Sequence, residues 1–187
     1  AFGYGAGYKE IATVIQHSKV DYLGVAYTDE GVELRKQKIN LPIVVMNTED
    51  FSFEDIVINQ LEPSIYSLEQ LEQFVKFLID QKILSYPIHL KIDTGMYRLG
   101  FLENEIQYLI DTIINQPEIY IKGIFSHLAA ADDINEDSFT KQQIKQFNKI
   151  SKRIEDSIGY EPIKNILNSS GIERFKDSQL DMVRLGV

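Results

Sequence analysis

The sequence predicts an α/β fold, in the form of a TIM (β/α)8 barrel that is incomplete in this chain. Helical patterns alternate strictly with short apolar runs along the 187 residues. Most of these runs are continuously apolar, as in strands buried on both faces of a parallel sheet. No Gly-x-Gly-x-x-Gly motif follows a predicted strand, which disfavours a doubly wound dinucleotide-binding sheet.

The apolar runs set the predicted strands. They are Tyr22–Tyr27, Ile43–Met46, Pro63–Tyr66, Ile88–Ile92, Ile119–His127, Lys164–Leu167 and Met182–Leu185. Between them, apolar residues at helical spacing predict helices. These are Tyr8–His17, Thr28–Lys38, Phe53–Asn59, Ser67–Gln81, Glu103–Asn115, Ser138–Ser157 and Ser170–Phe175.

Residues typical of helix starts and helix ends agree with this pattern. Ser67 and Gln70 form a Ser-x-x-Gln capping box, and Gly159 follows the long amphipathic helix. Because the pattern begins with a helix and closes on a strand, a barrel here lacks its first strand and its last helix. We therefore expect residues 1–187 to form one barrel domain that is truncated at both ends.

Composition narrows the function classes. The chain has no cysteine, which excludes disulfide scaffolds, thiolate metal sites and cysteine nucleophiles. Its net charge of −9, without a dense Lys/Arg run, argues against a nucleic-acid partner. No apolar run approaches the ~18–20 residues of a membrane span, and no signal peptide is recognisable. We expect a cytoplasmic protein without a membrane partner and without a metal site.

In a barrel the functional side chains gather at the carboxyl ends of the strands. Lys91 and Asp93 share one face of the strand Ile88–Ile92, and Arg98 follows in the loop. A buried lysine is costly unless it is paired or neutralised. Either a charged network that binds an anion or a structural salt-bridge cluster fits these three residues.

Further polar residues follow the later strands. His127 ends a long apolar strand, where either a catalytic or a packing role is open. The segment Asn168–Gly171 leads small polar side chains into a short helix, which fits a phosphate cradle or a plain helix cap. Arg184 lies on the last predicted strand, with Gly186 just beyond it. The residues alone indicate a phosphate-bearing ligand and name no reaction.

Five segments in order resemble the barrel-type, pyridoxal 5'-phosphate (PLP)-dependent alanine racemases over nearly the whole chain. They are AFGYGAG, HLKIDTGMYRLGF, FSHLAAAD, NSSGIER and MVRLGV. The resemblance implies interconversion of L- and D-alanine through a PLP aldimine and Cα proton transfer, for peptidoglycan synthesis. It implies the following roles: Tyr4, Asn168, Ser169, Gly186 and Val187 around the cofactor phosphate, His127 and Arg184 on its pyridine ring, Met96 and Arg98 on the substrate, and Lys91 in the position that is often carboxylated.

The resemblance also implies two reacting groups outside this chain. The lysine that forms the Schiff base would stand immediately before Ala1, and a second base, a tyrosine, belongs to a C-terminal β-domain of a partner subunit. We therefore expect a homodimeric parent enzyme, with Arg98, His127 and Lys91 as its catalytic residues in this chain, and an inactive isolated fragment. The Ala1–Phe2–Gly3 start and IVVMNTED also suggest a racemase fused to a cell-wall ligase.

Two alternatives stay open at this stage. A non-catalytic barrel that binds PLP for cofactor homeostasis would share most of the motifs. Another barrel-type PLP enzyme would act on a different amino acid. An arginine facing the pyridine nitrogen disfavours the related decarboxylases, which have a carboxylate there, because arginine cannot accept a proton.

Overall fold

The computed structural model describes residues 5 and 7–186 of the chain. It divides into two compact units, Ala1–Ser64 and Ile65–Val187. The first unit contains α1 (Tyr8–His17), β1 (Leu23–Val25), α2 (Thr28–Lys36), β2 (Ile43–Val45), a 3-10 turn (Asp50–Ser52), α3 (Phe53–Ile58) and β3 (Glu62–Ile65), which ends at the boundary.

Within the first unit the strands are parallel and follow chain order. Leu23 of β1 lies opposite Ile43 of β2, and Val44 of β2 lies opposite Glu62 of β3. All three residues of β2 are buried, as its continuous Ile-Val-Val run predicts. Gly31 of α2 allows close helix packing, since a side chain there would clash with Leu61.

The second unit repeats the same β/α alternation. Its elements are α4 (Leu68–Asp80), β4 (Tyr86–Lys91), a 3-10 turn (Glu103–Glu105), α5 (Ile106–Ile113), β5 (Ile119–Phe125), a 3-10 turn (Ile134–Glu136), α6 (Asp137–Ile158), β6 (Ile163–Asn165), α7 (Ser169–Arg174) and a 3-10 turn (Lys176–Ser178). In parallel order, β4 pairs with β5 and β5 pairs with β6. The carboxyl ends of these three strands therefore share one edge of the sheet.

The helix boundaries follow local chemistry. The Ser67 hydroxyl accepts the backbone N–H of Gln70 at the start of α4. The Gln70 side chain accepts from Tyr66 N–H, one residue before the position of an ideal capping box. The 22-residue helix α6 buries its apolar face and ends at Gly159, whose φ of 79° is a left-handed helix cap.

Six of the predicted strands are present, and their ends lie within a few residues of the predicted ones. The seventh prediction, a strand at Met182–Leu185, is wrong: this segment has no regular structure. It makes only scattered bonds to β6 and the chain after it, such as Met182 N–H to Lys164 O and Arg184 N–H to Leu167 O. Apolar residues suggested a strand there, although Leu185 is 88% exposed. No helix among the described residues has the length and apolarity that crossing a bilayer requires.

Candidate active site

The candidate site lies in the second unit, at the carboxyl edge formed by β4, β5 and β6. Two connecting segments supply most of it: the β4 loop, residues 92–102, and the β5 loop, residues 126–133. Residues 184–186 lie against the same edge, since Arg184 N–H donates to the carbonyl of Leu167 just beyond β6. Loops on a rigid sheet edge are the usual location of binding groups in this architecture.

The β4 loop is folded around one carboxylate. Asp93 is 6% exposed. Its Oδ1 accepts the backbone N–H groups of Gly95 at 2.8 Å, Met96 at 3.0 Å and Tyr97 at 3.2 Å. Its Oδ2 accepts from Arg98 N–H at 3.2 Å. Asp93 thus serves the loop backbone, and no cation among the described residues forms an ion pair with it.

The loop then returns to the strand that it left. Phe101 N–H donates to Lys91 O at 2.9 Å, and Asp93 N–H donates to Phe101 O at 3.0 Å. Gly100 makes this return possible, because its φ is +132° and an added Cβ would lie 2.6 Å from Asp93 N and 2.8 Å from Ile92 C. The Thr-Gly-Met-Tyr-Arg-Leu-Gly sequence therefore encodes a fixed loop.

Lys91 ends β4 as a buried amine among cations. Lys91 is 6% exposed. Burial and the charges of Arg98 and Arg184 lower the pKa of Lys91 from 10.5 to about 8, while Asp93 acts in the opposite direction. Among the described residues no carboxylate lies within ion-pair distance of its amine. A salt-bridge cluster of Lys91, Asp93 and Arg98, one of the two possibilities left open by the sequence, is therefore absent from the described structure.

Arg184 is fixed by several acceptors. Its Nη1 donates to Asn165 Oδ1, and its Nη2 donates to Ser126 O at 2.6 Å. The guanidinium lies 5.2 Å from the centre of the Phe125 ring. Burial lowers the pKa of Arg184 to about 10, so that the group remains a cation at neutral pH.

His127 meets Arg184 directly. Its Nδ1 lies 3.3 Å from Arg184 Nη2. A guanidinium can only donate, so Nδ1 must be the unprotonated acceptor and Nε2 must carry the ring proton. Burial, followed by the charges of Arg184, Arg98 and Lys91, lowers the pKa of His127 from 6.5 to about 4. The imidazole is neutral at physiological pH.

The segment before α7 joins the end of the described chain. The Asn168 side chain accepts from Gly171 N–H at 3.0 Å and donates to Leu128 O at 3.3 Å, which makes it the cap of α7. The Ser169 hydroxyl bonds with both the N–H and the carbonyl of Gly186. Ser169 and Gly186 therefore present a hydroxyl and a backbone amide side by side.

The structure brings most of the predicted residues to this one edge. Met96 and Arg98 lie in the β4 loop, where Arg98 is exposed and its guanidinium has no bonding partner among the described residues. Lys91, His127 and Arg184 lie close enough to affect one another's charge. Tyr4 and Val187 fall outside the described residues.

Sequence reasoning missed several polar residues behind these groups. Asn165 and Ser126 hold the Arg184 guanidinium, and Gln143 of α6 binds the backbone of the β5 loop. One signal was available for Gln143. It occupies the apolar face of an amphipathic helix next to Ile144, where a polar side chain needs a specific partner.

Comparison with known proteins gives a consistent picture. The family model described as "Alanine racemase, N-terminal domain" matches residues 1–187. Alanine racemase 1 of Oceanobacillus iheyensis is 35% identical over 191 residues, which cover the whole chain and 50% of that protein. The serine/alanine racemase of Enterococcus gallinarum is 34% identical over 191 residues, which cover the whole chain and 26% of that protein. The chain thus spans about half the length of the Oceanobacillus protein and about a quarter of the length of the Enterococcus gallinarum protein.

Solved structures agree with the sequence comparison. The alanine racemase of Clostridium difficile 630 is 36% identical with a TM-score of 0.91, over 99% of this chain and 48% of that one. The alanine racemase of Enterococcus faecalis is 27% identical with a TM-score of 0.87, over the whole of this chain and 50% of that one. These likenesses, with the parallel β/α alternation, confirm the predicted α/β fold class and its incomplete barrel.

Proposed function

The chain belongs to the alanine racemase family, through the N-terminal domain that its residues 1–187 match, and we propose that the protein containing it interconverts L- and D-alanine with PLP. Residues 1–187 are then the PLP-binding barrel domain of that enzyme. The observation that carries the proposal is the cationic edge of the sheet, where Arg184 is fixed against His127 and the charge of exposed Arg98 contributes to the lowered pKa of buried Lys91. The relatives at 35% identity carry the same activity in their names.

The described residues suit the cofactor. Arg184 uses Nη1 and Nη2 on Asn165, Ser126 and His127, which leaves its Nε–H without a described acceptor. An N–H that lacks a protein acceptor fits a ligand atom that only accepts, such as a pyridine nitrogen. The Ser169 hydroxyl and Gly186 N–H, now bonded to each other, are donors of the kind that a phosphate needs.

Arg184 then determines the type of reaction. Bound PLP withdraws electrons from the substrate, so that the Cα proton becomes acidic. Arg184 donates and cannot accept a proton, so it leaves the facing nitrogen unprotonated. With its ring nitrogen unprotonated, the cofactor would withdraw electrons less strongly, which would favour return of the Cα proton, and hence racemisation, over side reactions such as transamination. The neutral His127 ring would pack against the cofactor without competing for a proton.

The β4 loop would bind the substrate. Arg98 is exposed and unpaired among the described residues, and its guanidinium matches a carboxylate. Met96 lies two residues earlier in the same fixed loop. We assign Arg98 to the carboxylate of alanine and to the phenol oxygen of the cofactor, and Met96 to the substrate side. Lys91, as a carbamate, would orient Arg98 with an anion instead of repelling it with a cation.

The remaining steps belong to the larger protein. We propose that a lysine preceding Ala1 bonds to the cofactor and that a tyrosine of a partner subunit is the second base. The protein is then a cytoplasmic homodimer that supplies D-alanine to peptidoglycan, and a fusion to a ligase would suit the same supply.

The test is proton exchange and racemisation by the full-length protein. With PLP bound, we expect each alanine enantiomer to convert to the other and to exchange its Cα proton with deuterated water. Serine is assayed in parallel, because a relative at 34% identity is named a serine/alanine racemase. Arg98→Lys should raise the KM for alanine by about 10- to 100-fold, since lysine loses the planar two-donor contact.

The control and the contrary outcomes are defined by the same assay. Arg153→Lys changes an exposed arginine of α6 outside the site and should leave the KM unchanged. Stable PLP binding without Cα exchange for any amino acid would support the alternative of a PLP-homeostasis protein. Exchange restricted to another amino acid would assign a different substrate.

A further inference from the structure

Gln143 is a polar side chain in a position that the proposed mechanism does not use. It lies on α6 and is fully buried, between Thr140 and Phe147 on the core face of the helix. A buried amide costs free energy unless its donor and acceptor are both bonded. The partners of Gln143 therefore indicate its role.

The side-chain amide of Gln143 forms two hydrogen bonds with the backbone of the β5 loop. Its Oε1 accepts from Ala129 N–H at 3.0 Å, and its Nε2 donates to His127 O at 3.2 Å. Because an N–H can only donate and a carbonyl can only accept, these two partners fix the orientation of the amide. The carbonyl it holds belongs to the residue whose ring contacts Arg184.

The same amide reaches the β4 loop. Nε2 also donates to Thr94 Oγ1 at 3.4 Å. Ser126 Oγ donates its only proton to Ile92 O at 2.7 Å, so the 2.8 Å bond between Thr94 and Ser126 must be donated by Thr94. A directed series of hydrogen bonds thus runs from Gln143 through Thr94 and Ser126 to the backbone of the β4 loop.

Helix α6 adds a packing contact beside these bonds. The Phe139 ring covers Gly95, where an added Cβ would lie 3.0 Å from Phe139 Cζ. One turn of α6 therefore touches the β4 loop through Phe139 and both loops through Gln143. Thr94 is 3% exposed and Ser126 is 1% exposed, so water does not compete for these bonds.

We propose that Gln143 is a positioning residue that couples the β4 and β5 loops. Through the β5 loop it holds His127 against Arg184, and through the β4 loop it fixes the position of Arg98 relative to these two residues. It acts through the loops and touches neither substrate nor cofactor. The catalytic consequence rests on the proposed function, whereas the coupling itself is a property of the described residues. The proposal predicts that loss of the amide disturbs His127 without removing any group from the site.

The experiment uses the full-length protein in its cofactor-free form and measures the titration of His127. Histidine labelled with ¹⁵N is observed by NMR, and His127→Gln identifies its signal. Gln143→Met keeps the volume, adds no charge and removes all three hydrogen bonds. We expect the pKa of His127, about 4 with the loops coupled, to rise by about one unit or more as the ring leaves Arg184. Gln142→Met, on the exposed face of the same helix, should leave it unchanged.

A kinetic measurement on the PLP-loaded protein follows. We expect Gln143→Met to lower kcat for alanine by about 10- to 100-fold, as for other small displacements of a site, and Gln142→Met to leave it unchanged. If wild-type protein shows no racemisation, the proposed function fails, while the His127 titration still decides the role of Gln143.

Two results would overturn the coupling. One is a folded Gln143→Met protein in which His127 titrates as in wild type. The other applies if Gln143→Met does not fold, in which case Thr94→Val is measured instead. This variant is close to isosteric and breaks the same series of hydrogen bonds at its middle. An unchanged His127 titration in Thr94→Val would then overturn the coupling. A raised pKa in either variant supports the proposal.

Discussion

Lys91 shows how much the chemistry of one residue depends on its surroundings. Burial, followed by the charges of Arg98 and Arg184, lowers the pKa of its amine to about 8, and the carboxylate of Asp93 is occupied by the loop backbone. An amine of this pKa is partly uncharged at neutral pH, and the uncharged form is a nucleophile. The sequence identified Lys91 as costly to bury, and the structure adds that no described carboxylate lies within ion-pair distance of its amine.

We predict that Lys91 takes up CO2 as a carbamate. The ammonium form first loses one proton to solvent; the uncharged amine nitrogen then forms a bond to the CO2 carbon and releases a second proton. A repulsive cation is thereby converted into an anion facing Arg98. At a fixed CO2 pressure, the carbamate fraction should rise with pH through about 8, because the uncharged amine increases there.

The measurement is ¹³C NMR of full-length protein under ¹³CO2, where a protein-bound carbamate carbon should titrate in this range. Lys91→Gln should abolish the signal, whereas Lys145→Gln, an exposed lysine of α6, should retain it. A signal that persists in Lys91→Gln, or no signal at any pH, would contradict the assignment.

At the scale of elements, the sequence predicted most of the fold because periodicity reports burial directly. The continuous Ile-Val-Val run became the fully buried β2, and Gly159 ended α6 as predicted. The predicted strand Met182–Leu185 was wrong. Its apolar residues lie in a segment that bonds irregularly to β6 and the chain after it, and Leu185 is exposed. Periodicity does not say which partner a segment has.

The candidate site shows the same limit. Arg98, His127 and Arg184 could be picked out because charged or polar residues stood at predicted strand ends. Asn165 carried no such signal. The position of Gln143 on an apolar helix face indicated that it needs a partner but not which one, since both residues act through bonds to residues distant in the chain. That Asp93 would serve four backbone N–H groups, and not a cation, depends on a loop geometry that single-residue chemistry does not specify.

The β4 loop provides a prediction at this scale. Gly100→Ala should destabilise the second unit by about 2 kcal/mol or more, because the new methyl group would meet the backbone of Asp93 and Ile92 at a φ of +132°. The bonds that return the loop to β4 would be lost, and Arg98 would be displaced with it. Chemical unfolding followed by fluorescence or circular dichroism measures the change.

Gly24→Ala is the matched control, since a Cβ at this strand glycine meets nothing within 4 Å. We expect it to change the unfolding free energy by less than about 0.5 kcal/mol. Equal stability of Gly100→Ala and wild type would show that the loop does not need its tight return.

For the whole molecule, charge distribution separates the site from the rest of the chain. The net charge is −9, yet Lys91, Arg98 and Arg184 gather at one edge with no described carboxylate free to pair with them. Such a local positive field in an acidic protein favours a small anion at that edge over a polyanion at the surface. A phosphate-bearing cofactor and an amino-acid carboxylate both suit it.

Our last prediction concerns which lysine of the protein bonds to PLP. Among the described residues, Lys91 is the lysine at the candidate site, and it is 6% exposed. That exposure admits CO2 but not the substituted ring of PLP, so Lys91 should not form the Schiff base. A polypeptide of residues 1–187, treated with PLP and borohydride, should carry no pyridoxyl group on Lys91 and should not racemise alanine.

In the full-length protein, the label should fall on a lysine outside these residues, as peptide mass spectrometry would show. A pyridoxyl group on Lys91, or turnover by the 187-residue polypeptide, would move the reacting lysine into this chain and make the carbamate assignment untenable.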